Sequence, residues 1–107
     1  MTLKEFLAHP KVKRISVGRC VDGTPWEDTE TQAHAHADPQ FLHYGWICVR
    51  NPRDILCTHS NNVSRTMMHE LCHLTGHIYH NDRWRNEMHR QKQPIPRRYQ
   101  KKKRRRE

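Results

Sequence analysis

The sequence predicts one small α+β domain with a basic tail, and three observations support this fold class. At 107 residues the chain has room for a single domain. Short strand-like segments occupy its first half, and two segments with helical periodicity follow them. Positive charge is concentrated at the C-terminus. We therefore expect a domain over residues 1–94, with a short N-terminal helix, a small antiparallel or mixed sheet, a central helix and a C-terminal helix, and a disordered basic tail over residues 95–107.

The first three elements are assigned from local patterns. Residues 2–8 are expected to form the N-terminal helix, because their apolar side chains fall on one side and a proline follows shortly after them. Residues 12–17 are expected to form a short strand. Alanine and histidine alternate over residues 33–37, which predicts a strand with His34 and His36 on one face. We interpret these two histidines as structural, with a second metal site or a substrate-facing rim as the alternatives.

The next elements lead to the central helix. Residues 44–50 are aromatic and β-branched and form the strongest predicted strand, and residues 54–57 are expected to add a short one. Residues 60–62 offer side chains that cap a helix, which is predicted over residues 63–75. Gly76 is the expected stop of this helix.

The C-terminal segment carries most of the charge. Eight Lys or Arg and one acidic residue lie between residues 97 and 107, so this segment contributes +7 to the formal net charge of +9. A dense block of like charge binds polyanions through counterion release. We expect contact with nucleic acid, without sequence specificity, through Arg97, Arg98, Lys101, Lys102, Lys103, Arg104, Arg105 and Arg106. A solubilising tail without a partner is the alternative.

The cysteines and the N-terminus bear on location. The four cysteines contain no CxxC pair, and a structural zinc site made by Cys20, Cys48 and Cys57 is disfavoured by their irregular spacing. We interpret Cys72 as a small buried apolar residue. No secretory signal or membrane-spanning apolar run is recognised. We therefore expect a monomer in the cytoplasm, with reduced thiols, or in the nucleus of a eukaryote.

The central helix carries the residues that predict chemistry. At about 100° per residue its apolar side chains form one stripe, and His69 and His73 fall on the opposite side, one turn apart. Glu70 lies at the border between the two faces. Two histidines spaced in this way bind one zinc ion, and the adjacent glutamate is placed to deprotonate a water bound there.

A catalytic zinc needs a third protein ligand, which must come from beyond Gly76. The metzincin spacing would place a histidine at position 79, but this residue is Tyr79. His80 is the preferred ligand, because it lies just ahead of the second helix, which is expected to begin after residues 81–82. His77 remains the alternative, although it follows the glycine directly and has little chain in which to turn back toward the ion.

These residues also resemble a known family. The segment 66–76, TMMHELCHLTG, followed by 80–85, HNDRWR, is similar to the SprT-like (minigluzincin-type) metallopeptidases, which carry an HELxH helix and then a histidine close to a tryptophan or phenylalanine. Residues 45–50 resemble the family's edge strand. The resemblance covers about residues 31–90. The chain departs from larger members by its short length and by lacking a four-cysteine zinc ribbon after this region.

The resemblance implies a zincin-like fold and a specific set of roles. One zinc ion per chain would be held by His69, His73 and His80, with Glu70 as the general base and Trp84 as a packing residue that orients the third ligand. The expected function is a zinc metallopeptidase, most simply an endopeptidase acting on a protein or peptide and held near nucleic acid by the tail.

Three further expectations concern this function. The strand over residues 44–50 is expected to pair with substrate backbone. Tyr79 and His77 are both candidates for stabilising the oxyanion. The alternative function is a non-catalytic accessory protein, in which zinc fastens a small fold and the basic tail binds nucleic acid.

Overall fold

The described residues form three α-helices and a three-stranded mixed sheet, an α+β arrangement as the sequence predicts. The computed structural model describes residues 1–23, 26 and 32–100. The elements, in chain order, are α1 (Leu3–Leu7), β1 (Arg14–Val17), β2 (Ala33–Ala35), β3 (Trp46–Val49), α2 (Arg65–Thr75) and α3 (Asp82–Arg90), with short 3₁₀ turns at Pro52–Asp54 and Arg97–Tyr99.

The sheet has the strand order β1-β3-β2, so β3 lies in the centre. It pairs in parallel with β1 and antiparallel with β2. Because side chains alternate along a strand, Ile47 and Val49 face the main core, and Cys48 faces the other side of the sheet. All three are fully buried. Both faces of the central strand are therefore covered.

The short strand expected at residues 54–57 is wrong. The chain forms a 3₁₀ turn at Pro52–Asp54, and beyond it only an isolated bridge joins Leu56 to Val63. Pro52 begins this turn because its fixed φ suits a helical start and it lacks an N–H for a strand ladder.

Helix α2 begins two residues later than predicted. Its N-cap is Ser64, whose hydroxyl accepts a hydrogen bond from the N–H of Met67 at 3.2 Å, and the cap residues expected at 60–62 lie ahead of it. Met67, Leu71 and Leu74 form the predicted apolar stripe and pack in the core with the inner face of the sheet. The opposite side of the helix is thereby left for its histidines.

Helix α3 packs closely against the end of α2. Asn81 caps α3, as expected, by accepting a hydrogen bond from the N–H of Trp84 at 3.2 Å. Gly76 ends α2, and a Cβ at this position would lie 2.8 Å from the carbonyl oxygen of Cys72 and 2.9 Å from Cβ of Glu87. Glycine is thus required here by the close approach of two helices.

The folded part of the chain extends further than residue 94. Ile95 and Tyr99 pack against a second buried cluster made by Cys72, Trp84 and Met88. The guanidinium of Arg85, on α3, also donates a hydrogen bond to the carbonyl oxygen of Tyr99 at 3.1 Å. The start of the expected disordered tail therefore belongs to the domain, because Ile95 and Tyr99 pack against this apolar cluster. Residues 101–107 lie outside the described residues.

No helix among the described residues is long and apolar enough to cross a membrane.

Candidate metal centre and cleft

Three histidines from α2 and the following loop meet at one point. The Nε2 atom of His69 lies 3.1 Å from that of His80 and 3.2 Å from that of His73, and the His73 and His80 atoms are also 3.2 Å apart. We refer to His69, His73 and His80 as the three-histidine cluster. The i, i+4 spacing on α2 aligns the first two rings, and the turn at Gly76 brings back the third.

The geometry of this cluster fits a metal ion. Three nitrogens at 2.0–2.1 Å from a tetrahedral zinc lie about 3.3 Å apart, close to the separations found here. The Nδ1 atom of His73 lies 2.9 Å from the carbonyl oxygen of His77, which is a partner for an N–H and leaves the Nε2 lone pair of His73 for the cluster. These three residues could hold a metal ion.

His77, the alternative third ligand, takes another position. Its Nδ1 atom accepts hydrogen bonds from the N–H of Tyr79 at 3.1 Å and from the side-chain amide of Asn81 at 2.9 Å. Its backbone carbonyl oxygen contacts the three-histidine cluster, 2.9 Å from the Nδ1 atom of His73. The structure therefore brings His80, and not His77, to the two histidines of α2.

Two aromatic rings enclose the cluster. Trp84 is fully buried, and its ring centroid lies 4.8 Å from that of His69, 5.4 Å from that of His73 and 4.6 Å from that of His80. Tyr99 stacks on His80, with ring centroids 3.6 Å apart and the planes 5° from parallel. Trp84 thus packs beneath all three rings, and Tyr99 covers the third. The role of Tyr99 was missed from the sequence, although it is the single aromatic residue of the basic segment.

The rings of the cluster are held neutral. Burial, followed by repulsion from His73 and His80 and from Arg98, lowers the pKa of His69 to about 3. Burial, followed by repulsion from His73, Arg98 and Arg85, lowers the pKa of His80 to about 4, and burial also lowers the pKa of His73. At neutral pH the nitrogens are therefore available as ligands without competition from protons.

Glu70 lies beside the cluster and is largely removed from water. Glu70 is only 7% exposed, and it lines the same cleft as the three histidines. Burial raises the pKa of Glu70 to about 8. A carboxyl group with a pKa in this range can both accept and return a proton near neutral pH.

The cluster opens into a cleft of about 680 Å³. One wall is α2, a second is strand β2, and a third is the C-terminal segment, including Arg98 and Tyr99. Neither Tyr79 nor His77 lines this cleft, so the two residues named as oxyanion candidates lie away from it. Arg98, predicted only to bind polyanions, lines it instead.

The expectation that residues 44–50 pair with substrate is wrong. Strand β3 is central and has a neighbour on each side, whereas β2 is the edge strand beside the cleft. The carbonyl of Gln32 accepts from the N–H of Arg50 at 2.7 Å, and the N–H of His36 donates to the carbonyl of Trp46 at 2.9 Å. Since bonding directions alternate in an antiparallel strand, the backbone groups of Ala33 point to the opposite side, where no strand lies among the described residues.

A second group of metal-ligating side chains lies on the other face of the sheet. One ligand atom from each of four residues lies within 4.8 Å of the others, and this group could hold a metal ion. We refer to it as the Cys/His cluster; it comprises Cys20, His34, His36 and Cys48. Of the cysteines considered from the sequence, Cys57 is absent from the group, and its thiol donates to the carbonyl of Val63 instead. Cys72 is fully buried, as predicted.

Comparison of the chain with family models, with curated proteins and with solved structures finds no significant match.

Proposed function

We propose that the protein is a zinc-dependent peptidase whose centre is the three-histidine cluster. The observation that carries this proposal is the triangle of Nε2 atoms, 3.1–3.2 Å apart, in the wall of an open cleft beside a buried carboxyl group. Three nitrogen ligands leave the fourth position of a zinc ion open, as catalytic sites require. Membership of the SprT-like family, which the joint motif suggests, is part of the proposal.

The chemistry is divided between the ion and Glu70. When bound, zinc would polarise the scissile carbonyl and lower the pKa of a ligated water toward about 7. Glu70 takes a proton from the attacking water while the oxygen of that water bonds to the carbonyl carbon. Glu70 then delivers that proton to the amide nitrogen as the carbon–nitrogen bond breaks. The raised pKa of Glu70 makes its carboxylate a stronger base for the first of these two proton transfers.

The cleft suits an extended peptide. No strand of the described part of the chain pairs with the outer edge of β2, so the backbone groups of Ala33 and Ala35 could bond to a substrate strand and lengthen the sheet by one strand. Arg98 lies close enough to the cluster for its charge to lower the pKa of His69 and His80. We assign its guanidinium to the carbonyl oxygen that becomes negative during attack.

The test combines a zinc assay with proteolysis of a generic unfolded protein, in the presence and absence of DNA. Glu70→Gln should retain zinc but lose about 10²–10⁴-fold of the cleavage rate, because only the proton transfer is removed. The isosteric amide preserves the shape of the helix. Equal cleavage by wild type and Glu70→Gln would exclude this mechanism.

The charge of the C-terminal segment favours a second candidate function. Eight Lys or Arg and one acidic residue over residues 97–107 suit a polyanion, so the protein would be a zinc-fastened accessory factor that binds nucleic acid without hydrolysing anything. In that case Glu70→Gln leaves zinc content and DNA binding unchanged, whereas binding to DNA weakens steeply as salt is raised.

A further inference from the structure

We propose a second, structural zinc site at the Cys/His cluster, which shares no residue with the three-histidine cluster. Two thiolates and two imidazoles, from Cys20, Cys48, His34 and His36, form a ligand set typical of closed structural zinc sites. All four coordination positions of the ion would be occupied by protein ligands, and the ion would stabilise the sheet.

The fold brings these residues together from three separate segments. Cys48 is the third residue of β3, and its partner across the sheet in β2 is His34. His36 is two residues further along and therefore lies on the same face. Cys20 comes from the loop after β1, which turns at Gly18 with a φ of 84° and returns over the sheet. No short-range motif predicts this set.

The separations agree with tetrahedral coordination. The Nε2 atom of His36 lies 3.6 Å from the sulfur of Cys20 and 3.3 Å from the sulfur of Cys48. A sulfur at about 2.3 Å and a nitrogen at about 2.05 Å from a tetrahedral zinc lie about 3.5 Å apart. The His36 contacts therefore require only small adjustments to accept an ion.

Outer contacts support the same assignment. Asp22 lies 3.5 Å from the Nδ1 atom of His36, on the side of the ring away from the two sulfurs. A carboxylate at this position commonly orients a metal-bound imidazole. The N–H of Val21 points to the sulfur of Cys48 at 3.4 Å, as a donor to a thiolate would. Asp22 is also paired with His43.

The burial of the two cysteines suggests that the site stabilises the fold. Cys20 is 6% exposed and Cys48 is fully buried, yet neither belongs to the main apolar core. A structural metal ion often supplies much of the stability of a small domain. Here the ion would tie the loop after β1 and both paired strands together, and it would fix β2, whose other edge borders the cleft.

The test counts metal ions on the full chain, purified under reducing conditions and supplied with zinc. Wild type should hold two ions per chain. Cys20→Ser should hold one, and the matched control Cys57→Ser should hold two, because Cys57 lies outside the cluster. Loss of the difference between the two serine variants would overturn the proposal.

Cobalt substitution of wild type provides a readout that needs no variant. Thiolate ligands give cobalt a charge-transfer absorption in the near ultraviolet, which histidine ligands alone do not produce. We expect this band in wild type and in His69→Ala, whether or not the three-histidine cluster is a catalytic site. Absence of the band, or a disulfide joining Cys20 to Cys48 in the reduced preparation, would contradict the second site.

Discussion

The two candidate metal clusters differ in what surrounds their donors. The three-histidine cluster lies in the wall of a cleft, beside the carboxyl group of Glu70, and presents three donors. The Cys/His cluster lies on the other face of the sheet, presents four donors and includes two buried thiols. An open position with a nearby base suits chemistry, whereas a complete set of ligands suits stability. The two clusters therefore suit the two different roles that we propose for them, catalysis and structural stabilisation.

The largest expected effect tests whether the two clusters are independent. His80→Ala should remove one zinc ion per chain and reduce peptide cleavage by more than about 1,000-fold, since it removes a ligand of the ion that the chemistry needs. His77→Ala is the matched control, because it keeps the backbone carbonyl that contacts His73. It should retain both ions and most of the activity. The cobalt–thiolate band should be unchanged in both variants, and a loss of that band in His80→Ala would show that the clusters are coupled.

A smaller effect is expected for a residue that binds neither ion. Arg98→Ala should lower kcat by about 10- to 100-fold, with a smaller change in KM, because a donor to the developing oxyanion acts mainly in the transition state. Arg97→Ala, whose side chain does not line the cleft, should leave kcat within about two-fold. Both variants should keep the zinc content of wild type. A change confined to KM would instead assign Arg98 to ground-state binding of the substrate.

The smallest effect concerns the stability of the metal-free protein. Burial lowers the pKa of His69 to about 3, so the stability linked to its neutral ring is complete above about pH 6.5 and is lost as the pH falls toward 3. Burial raises the pKa of Glu70 to about 8, so the stability linked to its neutral carboxyl is complete below about pH 4.5 and is lost as the pH rises through 8.

Glu70→Gln removes only the second of these dependences. In excess chelator, its Tm should exceed that of wild type by an amount that grows between about pH 5 and pH 8. Thermal unfolding followed by circular dichroism measures this difference. A gap in Tm that does not change with pH would mean that Glu70 is not buried in the metal-free protein.

The sequence predicts the three-histidine cluster more completely than the Cys/His cluster because their ligands are separated differently along the chain. His69 and His73 lie one helical turn apart, so a wheel places them together, and the turn at Gly76 limits where a third ligand can come from. Cys20 follows β1 and Cys48 lies in β3, so the two residues come together only because these two strands pair. Strand order cannot be obtained from local periodicity, which is also why residues 44–50 were expected at the edge of the sheet and are found in its centre.

The contact between Tyr99 and His80 has a practical consequence for work with this protein. A C-terminal deletion intended to lower the positive charge of the protein would expose one face of the His80 ring if it removed Tyr99. It would also withdraw the carbonyl group that receives a hydrogen bond from Arg85. Truncated versions should therefore end after Gln100, so that the six Lys or Arg at positions 101–106 are removed and the lining of the cleft is kept.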